Sequence, residues 1–509
     1  MAQVLATPGV YIEEKPAFPN SVVAVATAVP AFIGYTAKAS RNNKSLIDVP
    51  TRITSFNEYL QYFGDGPKVK FKVEEDANEG FKVSLDPDAK SKFNLYNSMR
   101  IFFANGGSNC YIVSVGVYKD KDGKQVPLDL NVKDFTGENP DRLGGGIMTL
   151  LKEPEPTMLV IPDAVLLEEE ACQTLHQQML KHCGSDMKSR VALLDVYDGD
   201  KVRMRGTPED VIDNFRTGVN NEFLKWGAGY YPWLNTTIVG TDEVNYTNIS
   251  AAADLQTLLK AAVEKSKTDE EIDEERANKI NEEIDKVGDD LDEGLHDTLL
   301  VISPLYKAIM GEIRNQLNVI PPSGAMAGVI SMVDNNVGVF KSPANVSIGS
   351  VVKPSVNITH TEQEDLNLPL NGKAVNAIRS FPGKGVLVWG ARTLDGNSQD
   401  WRYLSVRRTI IMIEQSLKTA CEAYVFEPNV VNTWVTVKGM ITNFLTDQWK
   451  QGALAGAVPE DAFSVDVGLG ATMTPTDILD GRMNITVKLA VVRPAEFIVI
   501  TIQQQMQKS

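Results

Sequence analysis

The chain has 509 residues, 43% hydrophobic and 23% charged, with a formal net charge of −16. That length exceeds one ordinary core and predicts roughly two to four domains. The acidic balance argues against a nucleic-acid or anionic-membrane binder, whose targets attract Lys and Arg, and four cysteines are too few for a disulfide framework and point to a reducing compartment.

Met1-Ala-Gln-Val-Leu-Ala-Thr-Pro8 has neither a basic n-region nor a sustained apolar core and does not read as a signal peptide. Residues 8–14 predict a short strand, followed by a Pro-rich connector from Lys15 to Asn20. Ser21 to Tyr35 is the most apolar run, but its 15 residues contain Thr27 and Pro30. It falls short of the ~20 apolar residues of a membrane helix, and two buried strands are expected there. Val69, Phe71 and Val73 alternate, as do Phe81, Val83 and Leu85, with Ala77-Asn-Glu-Gly80 between them: a β-hairpin. Leu95 to Gly107 predicts an amphipathic helix stopped by paired glycines, and Cys110–Gly116 a buried strand.

From Thr157 to Val239 strands and helices alternate: Met158–Ile161, Glu168–His182, Val191–Val196, Asp210–Phe215, then Tyr230–Leu234 leading into a strand. Such alternation implies a mostly parallel sheet with helices on its faces. Residues 268–293 then hold 13 acidic and 3 basic side chains. Ile272, Ile280, Ile284, Val287 and Leu291 leave only a thin apolar stripe, so the segment predicts a solvated surface helix that contributes little core, with a docking surface for a basic partner as the alternative.

Gly383-Lys-Gly-Val-Leu-Val-Trp-Gly-Ala-Arg392 predicts a buried strand entered and left by tight turns. Trp401 to Tyr424 carries Val406, Ile410, Ile413, Leu417, Cys421 and Tyr424 on one helical face, and Arg407, Arg408, Glu414, Lys418 and Glu422 on the other; Pro428 ends it. A second helix, capped near Asn432, places Trp434, Val437, Ile441, Phe444, Leu445 and Trp449 on one side and is closed by Gly452. The period then shortens to two: Met483, Ile485, Val487, Leu489 and Val491 alternate. After Arg493-Pro494, Phe497 to Ile502 predicts a last strand, apolar on both faces and in need of neighbours on every side.

Few side chains are spaced for chemistry. Cys172, His176, His182 and Cys183 crowd one predicted helix, but a helix spreads i and i+11 about 16 Å apart, unlike zinc sites built from two ligand pairs; they read as buried cysteines and surface histidines. The four histidines, His176, His182, His296 and His360, promise no triad, Gly-x-Ser-x-Gly is absent, and Ser323 follows two prolines. Gly372-Lys373 and Gly383-Lys384 lack the rest of a phosphate loop. No metal, cofactor or catalytic residue is assigned.

What remains is a resemblance. Phe381 to Leu394, Trp401-Arg-Tyr403 with Arg407-Arg408, Phe426-Glu-Pro-Asn429, Gln451 to Gly456, Gly481-Arg482 and Pro494-Ala-Glu-Phe497 resemble the C-terminal domain of contractile tail sheath proteins. Pro8 to Glu14, Ala31 to Tyr35, the Leu95–Gly116 helix–Gly–strand unit, Pro321 to Gly328 and Gly338 to Asn345 are similar to the same family, closest in wording to sheaths of extracellular phage-tail-like injection particles. Val337 and Phe340 stand where the family usually has a basic residue and Trp, so no salt bridge is carried over to that turn.

The resemblance implies an α/β multidomain chain: a subtilisin-like α/β middle domain and a C-terminal α+β domain of two helices on a small sheet, with strand-exchanging arms at both ends. The expected division is an arm over 1–20, an outer domain over 21–355 with insertions near 65–95 and 262–296, an inner domain over 356–492, and an arm over 493–509. The implied function is a sheath subunit that polymerises around an inner tube and contracts to drive it into a target; a static shell and a subtilisin-like hydrolase are the alternatives. Implied partners are copies of itself in stacked hexameric rings, an inner tube, baseplate and terminal cap proteins, with a sister sheath subunit left open, and neither nucleic acid nor membrane insertion. Such particles assemble in a bacterial cytoplasm and are released or form a phage virion. The expected arm strands are Val10, Tyr11 and Ile12 at one end and Phe497, Ile498, Val499, Ile500, Thr501 and Ile502 at the other. Lys438 and Lys450 are the candidate tube contacts.

Overall fold

The computed structural model describes residues 22–76, 80–269 and 271–500. They divide into two compact units: residues 26–408 with 494–500, and residues 22–25 with 409–493. The division therefore falls at 408/409 rather than at 355/356. The reason lies in Val375–Phe381 and Gly385–Val388, which pair with each other and join the sheet of the larger unit. An apolar strand reads the same in sequence whichever sheet it completes.

Six parallel strands form the centre of the larger unit, in the order Cys110–Val117, Pro30–Thr36, Met158–Val160, Val191–Asp195, Gly227–Tyr231, Val375–Phe381. Antiparallel strands finish both edges: Thr51–Ile53 on one side, Gly385–Val388 and Val346–Ser347 on the other. In Pro30–Thr36, Met158–Val160, Val191–Asp195 and Gly227–Tyr231 every residue is buried. That is the signature of a parallel sheet covered on both faces. The apolar run at 21–35 yields one strand among its described residues, Pro30–Thr36, instead of two.

Helices Leu95–Ala104 and Ser323–Asn336 pack closely, and two glycines permit it. A Cβ at Gly324 would lie 2.8 Å from the Ser98 Cβ, and one at Gly328 would lie 2.6 Å from the Phe102 carbonyl oxygen. The four-residue spacing sets both on one helix face.

The two insertions are not separate ornaments. The hairpin forms as expected, Phe71–Glu74 against Lys82–Leu85 with Val73 opposite Val83. Its buried Phe71, Val73 and Val83 share one hydrophobic core with Leu255, Leu259, Ala277, Ile280, Ile284, Val287, Leu299 and Ile313. The acidic segment thus lays a helix, Glu274–Ile284, onto this satellite core. The expectation of a solvated helix with little core is corrected: the stripe is narrow, but Ala277, Ile280 and Ile284 are buried while the charges face water.

In the smaller unit, helix Val431–Lys450 packs on strand Phe463–Val467, which pairs antiparallel with Ile485–Leu489. Trp434, Val437, Ile441, Phe444 and Leu445 are buried as the spacing predicts, and Gly452 takes φ +87° just beyond the helix.

Candidate functional site

Cys172, His176, His182 and Cys183, singled out in the sequence, lie inside the fold. His176 and His182 are buried, not on the surface, and burial lowers them to about 4 and about 3, so both stay neutral. Cys172 Sγ lies 3.7 Å from His176 Nε2, while His182 Nε2 faces the buried Arg190 guanidinium at 3.3 Å. Among the described residues no group of three His, Cys, Asp or Glu side chains is placed to hold a metal. Ser323, the hydroxyl a subtilisin-like fold would invite one to test, is fully buried and bonded directly to Asp195, which also accepts the Ser323 backbone N–H at 2.7 Å. Desolvation pushes Asp195 up to about 7 and Asp163 up to about 6. Asp163 accepts backbone N–H groups from Tyr35 and Asn94 at 3.1 and 2.6 Å. Both carboxyls tie helix ends to the sheet; neither faces a histidine, and the geometry lacks the base that a serine nucleophile requires.

Within the larger unit, two adjacent buried arginines hold specific partners. Arg408 grips Asp334 with both terminal nitrogens at 2.9 and 2.6 Å, and donates to the Thr27 carbonyl at 2.8 Å. Arg408 and Asp334 side chains keep 4% and 2% of their exposure. Arg407 lies between the rings of Trp226 and Trp401, 4.3 and 4.4 Å from their centroids. Sequence periodicity put Arg407 and Arg408 on a solvent face, and that is corrected: both are buried. The signal that could have found them is position. They open the helix Leu404–Glu422, where the helix dipole disfavours cations, so two adjacent arginines there require specific partners.

Another buried arginine of the larger unit, Arg392, holds Glu496. Arg392 donates from Nε to Glu496 Oε1 at 3.0 Å and from Nη2 to Glu496 Oε2. Glu496 belongs to the Pro494-Ala-Glu-Phe motif, and Arg392 to the Trp-Gly-Ala-Arg motif, some hundred residues apart in sequence.

The expected arm residues fall at the ends. Val10, Tyr11, Ile12, Thr501 and Ile502 lie outside the described residues. Phe497, Ile498, Val499 and Ile500 are described: they are in no strand of their own chain and are strongly exposed. Lys438 and Lys450 are both exposed on helix Val431–Lys450, Lys450 3.8 Å from Asp447. Nearby, the Phe426-Glu-Pro-Asn motif makes a brace: Asn429 accepts from Trp434 Nε1 at 2.6 Å and donates to the Arg482 carbonyl at 2.9 Å. Among the described residues the strands Phe463–Val467 and Ile485–Leu489 form a sheet of two. The side chains of Ile485, Val487 and Leu489 are only half-buried.

Among the described residues the tail from Phe497 to Ile500 is exposed and in no strand, and the small sheet has two strands. Residues 397–505 match the phage tail sheath C-terminal domain. Among solved structures, the chain is similar to one in the anti-feeding prophage (AFP) baseplate, 6-fold symmetrised, at 28% identity and TM-score 0.57, covering 99% of this chain and 100% of that one. It is similar to one in the sheath complex of PVC, an extracellular contractile injection system, in its contracted state, at 27% identity and TM-score 0.58, covering 99% of each. The AFP helical sheath in its contracted state gives 27% identity and TM-score 0.59, covering 99% of this chain and 100% of that one. No curated protein matches the sequence. The chain is a mixed α/β protein whose fold matches tail sheath structures and whose residues 397–505 match the sheath C-terminal domain. Its solved neighbours are structural sheath proteins of contractile injection systems, not enzymes.

Proposed function

We propose that this chain is the sheath subunit of a contractile injection apparatus, polymerising into a helical sheath around an inner tube and shortening to drive that tube into a target. The observation that carries this is the likeness over 99% of the chain to subunits of a contracted sheath. In this reading the functional act is a change of lattice, with the energy held in the extended assembly and no nucleotide consumed. Partners are other copies of the chain in stacked hexameric rings, the inner tube, a baseplate and a terminal cap. Assembly takes place in a bacterial cytoplasm, before the particle is released.

Strand exchange is the proposed means of assembly. Residues 10–12 and 497–502 pair with the sheet of another copy, and the two-stranded sheet of the smaller unit is their natural receiver. A two-stranded sheet is marginal by itself, and an added strand satisfies its open backbone groups while seating alternate side chains. The contact is heterologous, so repetition gives rings or an open helix and not a closed dimer. Connectors such as 15–20 let subunits rotate as rigid bodies while strands stay paired. The larger unit is read as subtilisin-like in topology on the strength of its parallel core, and Lys438 and Lys450 as charges facing the tube.

Light scattering and electron microscopy of the purified chain test this. Very large rings or tubes, in an extended and a shortened lattice, are expected. A monodisperse monomer at every concentration would refute it, and tubes with one lattice state only would make the protein a static shell.

A further inference from the structure

The C-terminal segment changes character at Glu496. Phe497, Ile498, Val499 and Ile500 keep 67%, 80%, 88% and 79% of their exposure. The Glu496 side chain just before them keeps 19% and ends on Arg392, whose side chain keeps 1%. The pair meets fork to fork, two parallel N–H···O bonds from one guanidinium to one carboxylate, the strongest and most directional ion-pair geometry available to a protein. The remaining Arg392 nitrogen donates to the carbonyls of Asn367 at 3.0 Å and Gly396 at 3.3 Å, and the Tyr403 hydroxyl lies 3.5 Å from Glu496 Oε2.

Arg392 is itself fixed. Its backbone N–H donates to Asn376 Oδ1 at 2.7 Å and its carbonyl accepts from Asn376 Nδ2 at 2.8 Å. Asn376 sits within the parallel strand Val375–Phe381, and its Nδ2 also reaches the Gly229 carbonyl of the next strand. A rigid line of bonds thus runs from the centre of the large sheet through Asn376 and Arg392 to Glu496, one residue before the apolar tail. Removing the carboxylate would leave a guanidinium buried without its counter-ion, a costly state, so the root of the tail is held firmly.

We propose that Arg392 and Glu496 form a latch that fixes where and in which direction the C-terminal tail leaves the larger unit, presenting residues from Phe497 onward to a neighbouring copy of this chain. This rests on the strand-exchange reading above. A root ordered beforehand lowers the entropy that the tail loses on pairing, which is how preorganisation raises affinity. Arg392 and Glu496 are positioning residues: neither touches the neighbour.

The test uses the full chain with Glu496→Ala, Glu496→Gln and Arg392→Gln, and two readouts. In unassembled protein, chymotryptic cleavage after Phe497, followed by mass spectrometry, reports whether the root is held. The concentration at which sheaths form, followed by sedimentation and electron microscopy, reports presentation. Glu496→Ala is expected to speed cleavage and raise the assembly concentration by about tenfold each, a loss of about 1.4 kcal/mol in assembly, with Glu496→Gln between it and the parent. Unchanged cleavage would remove the latch. Faster cleavage with unchanged assembly would leave a latch with no part in presentation and overturn the proposal. Should Arg392→Gln or Glu496→Ala fail to fold by circular dichroism, Glu496→Gln, which keeps the side chain's shape and an acceptor for Arg392, still decides. Truncation after Glu496 separates the two levels: if that chain assembles like the parent, the tail is not an exchanged strand and the underlying reading fails whatever the latch variants do.

Discussion

The large sheet and the small one are built to opposite specifications. In the large sheet, four of the six central strands bury every residue and the edges are closed by antiparallel strands. In the small one, two strands pair only with each other among the described residues, and alternate positions of Ile485–Leu489 are exposed. The first is complete within one chain; the second has the form of something finished by another. In the proposed strand exchange, the first is the part that stays rigid and the second the part that copies share.

The largest expected effect would break the claim that the larger unit is self-sufficient as a whole, insertions included. Removing residues 269–293 and bridging with Gly-Ser takes Ile280, Ile284 and Val287 from the satellite core. At about 1.5–3 kcal/mol for each buried aliphatic side chain, the loss rivals the net stability of an ordinary domain. Insoluble protein, or a clearly earlier melting transition, is expected. A soluble variant melting like the parent would mean the insertion is dispensable.

Next comes the buried Arg408–Asp334 pair of the larger unit. Asp334→Ala leaves Arg408 buried without its carboxylate and should cost about 3–5 kcal/mol in denaturant unfolding. The double replacement Arg408→Met with Asp334→Leu should recover much of that loss. Equal instability of single and double variants would argue that the arginine does more than neutralise its partner.

A smaller effect sharpens the picture of the large sheet through pH. Asp195 titrates near 7 in the folded chain because burial disfavours its charge, against about 3.9 in an unfolded one. The folded state therefore holds a proton that the unfolded state has released, and this group's contribution to stability is full below the unfolded value and lost as pH rises towards 7. His176 and His182, kept neutral by burial, act in the opposite sense, so the difference between parent and Asp195→Asn isolates the carboxyl. Relative to that variant the parent should lose stability between about pH 4 and 7; parallel curves would refute the assignment.

The smallest effect belongs to the smaller unit. Lys438→Glu with Lys450→Glu should weaken co-sedimentation with tube by about two- to fivefold, as exposed charges typically do, and leave sheath polymers intact. Unchanged binding would remove both lysines from the tube surface.

Much of this was legible in the sequence because hydrophobic periodicity is local. Val73 and Val83 announced a hairpin, Met158–Ile161 and Val191–Val196 announced strands of a parallel sheet, and Trp434 to Leu445 announced the face of a helix. What was not legible is partnership across long separations. The stripe of Ile280 and Ile284 looks too thin for a core until Phe71 and Val83, some two hundred residues earlier, supply the other half. Gly385–Val388 joins the large sheet only because Val375–Phe381 pairs beside Gly227–Tyr231. Arg407 and Arg408 obey helical spacing for a polar face, yet two tryptophans and Asp334 meet them there. Arg392 and Glu496 each stand in a motif resembling tail sheaths, but no spacing rule says that they touch.

Strand exchange requires that the small sheet be completed by strands from other copies. The direct measurement is electron microscopy of sheaths formed by a chain lacking residues 1–19 and, separately, by one carrying Val499→Pro and Ile500→Pro, which removes two ladder donors. Both variants are predicted to stay folded by circular dichroism and to form no sheaths. Contractile sheaths of normal length from the chain without residues 1–19 would contradict strand exchange outright.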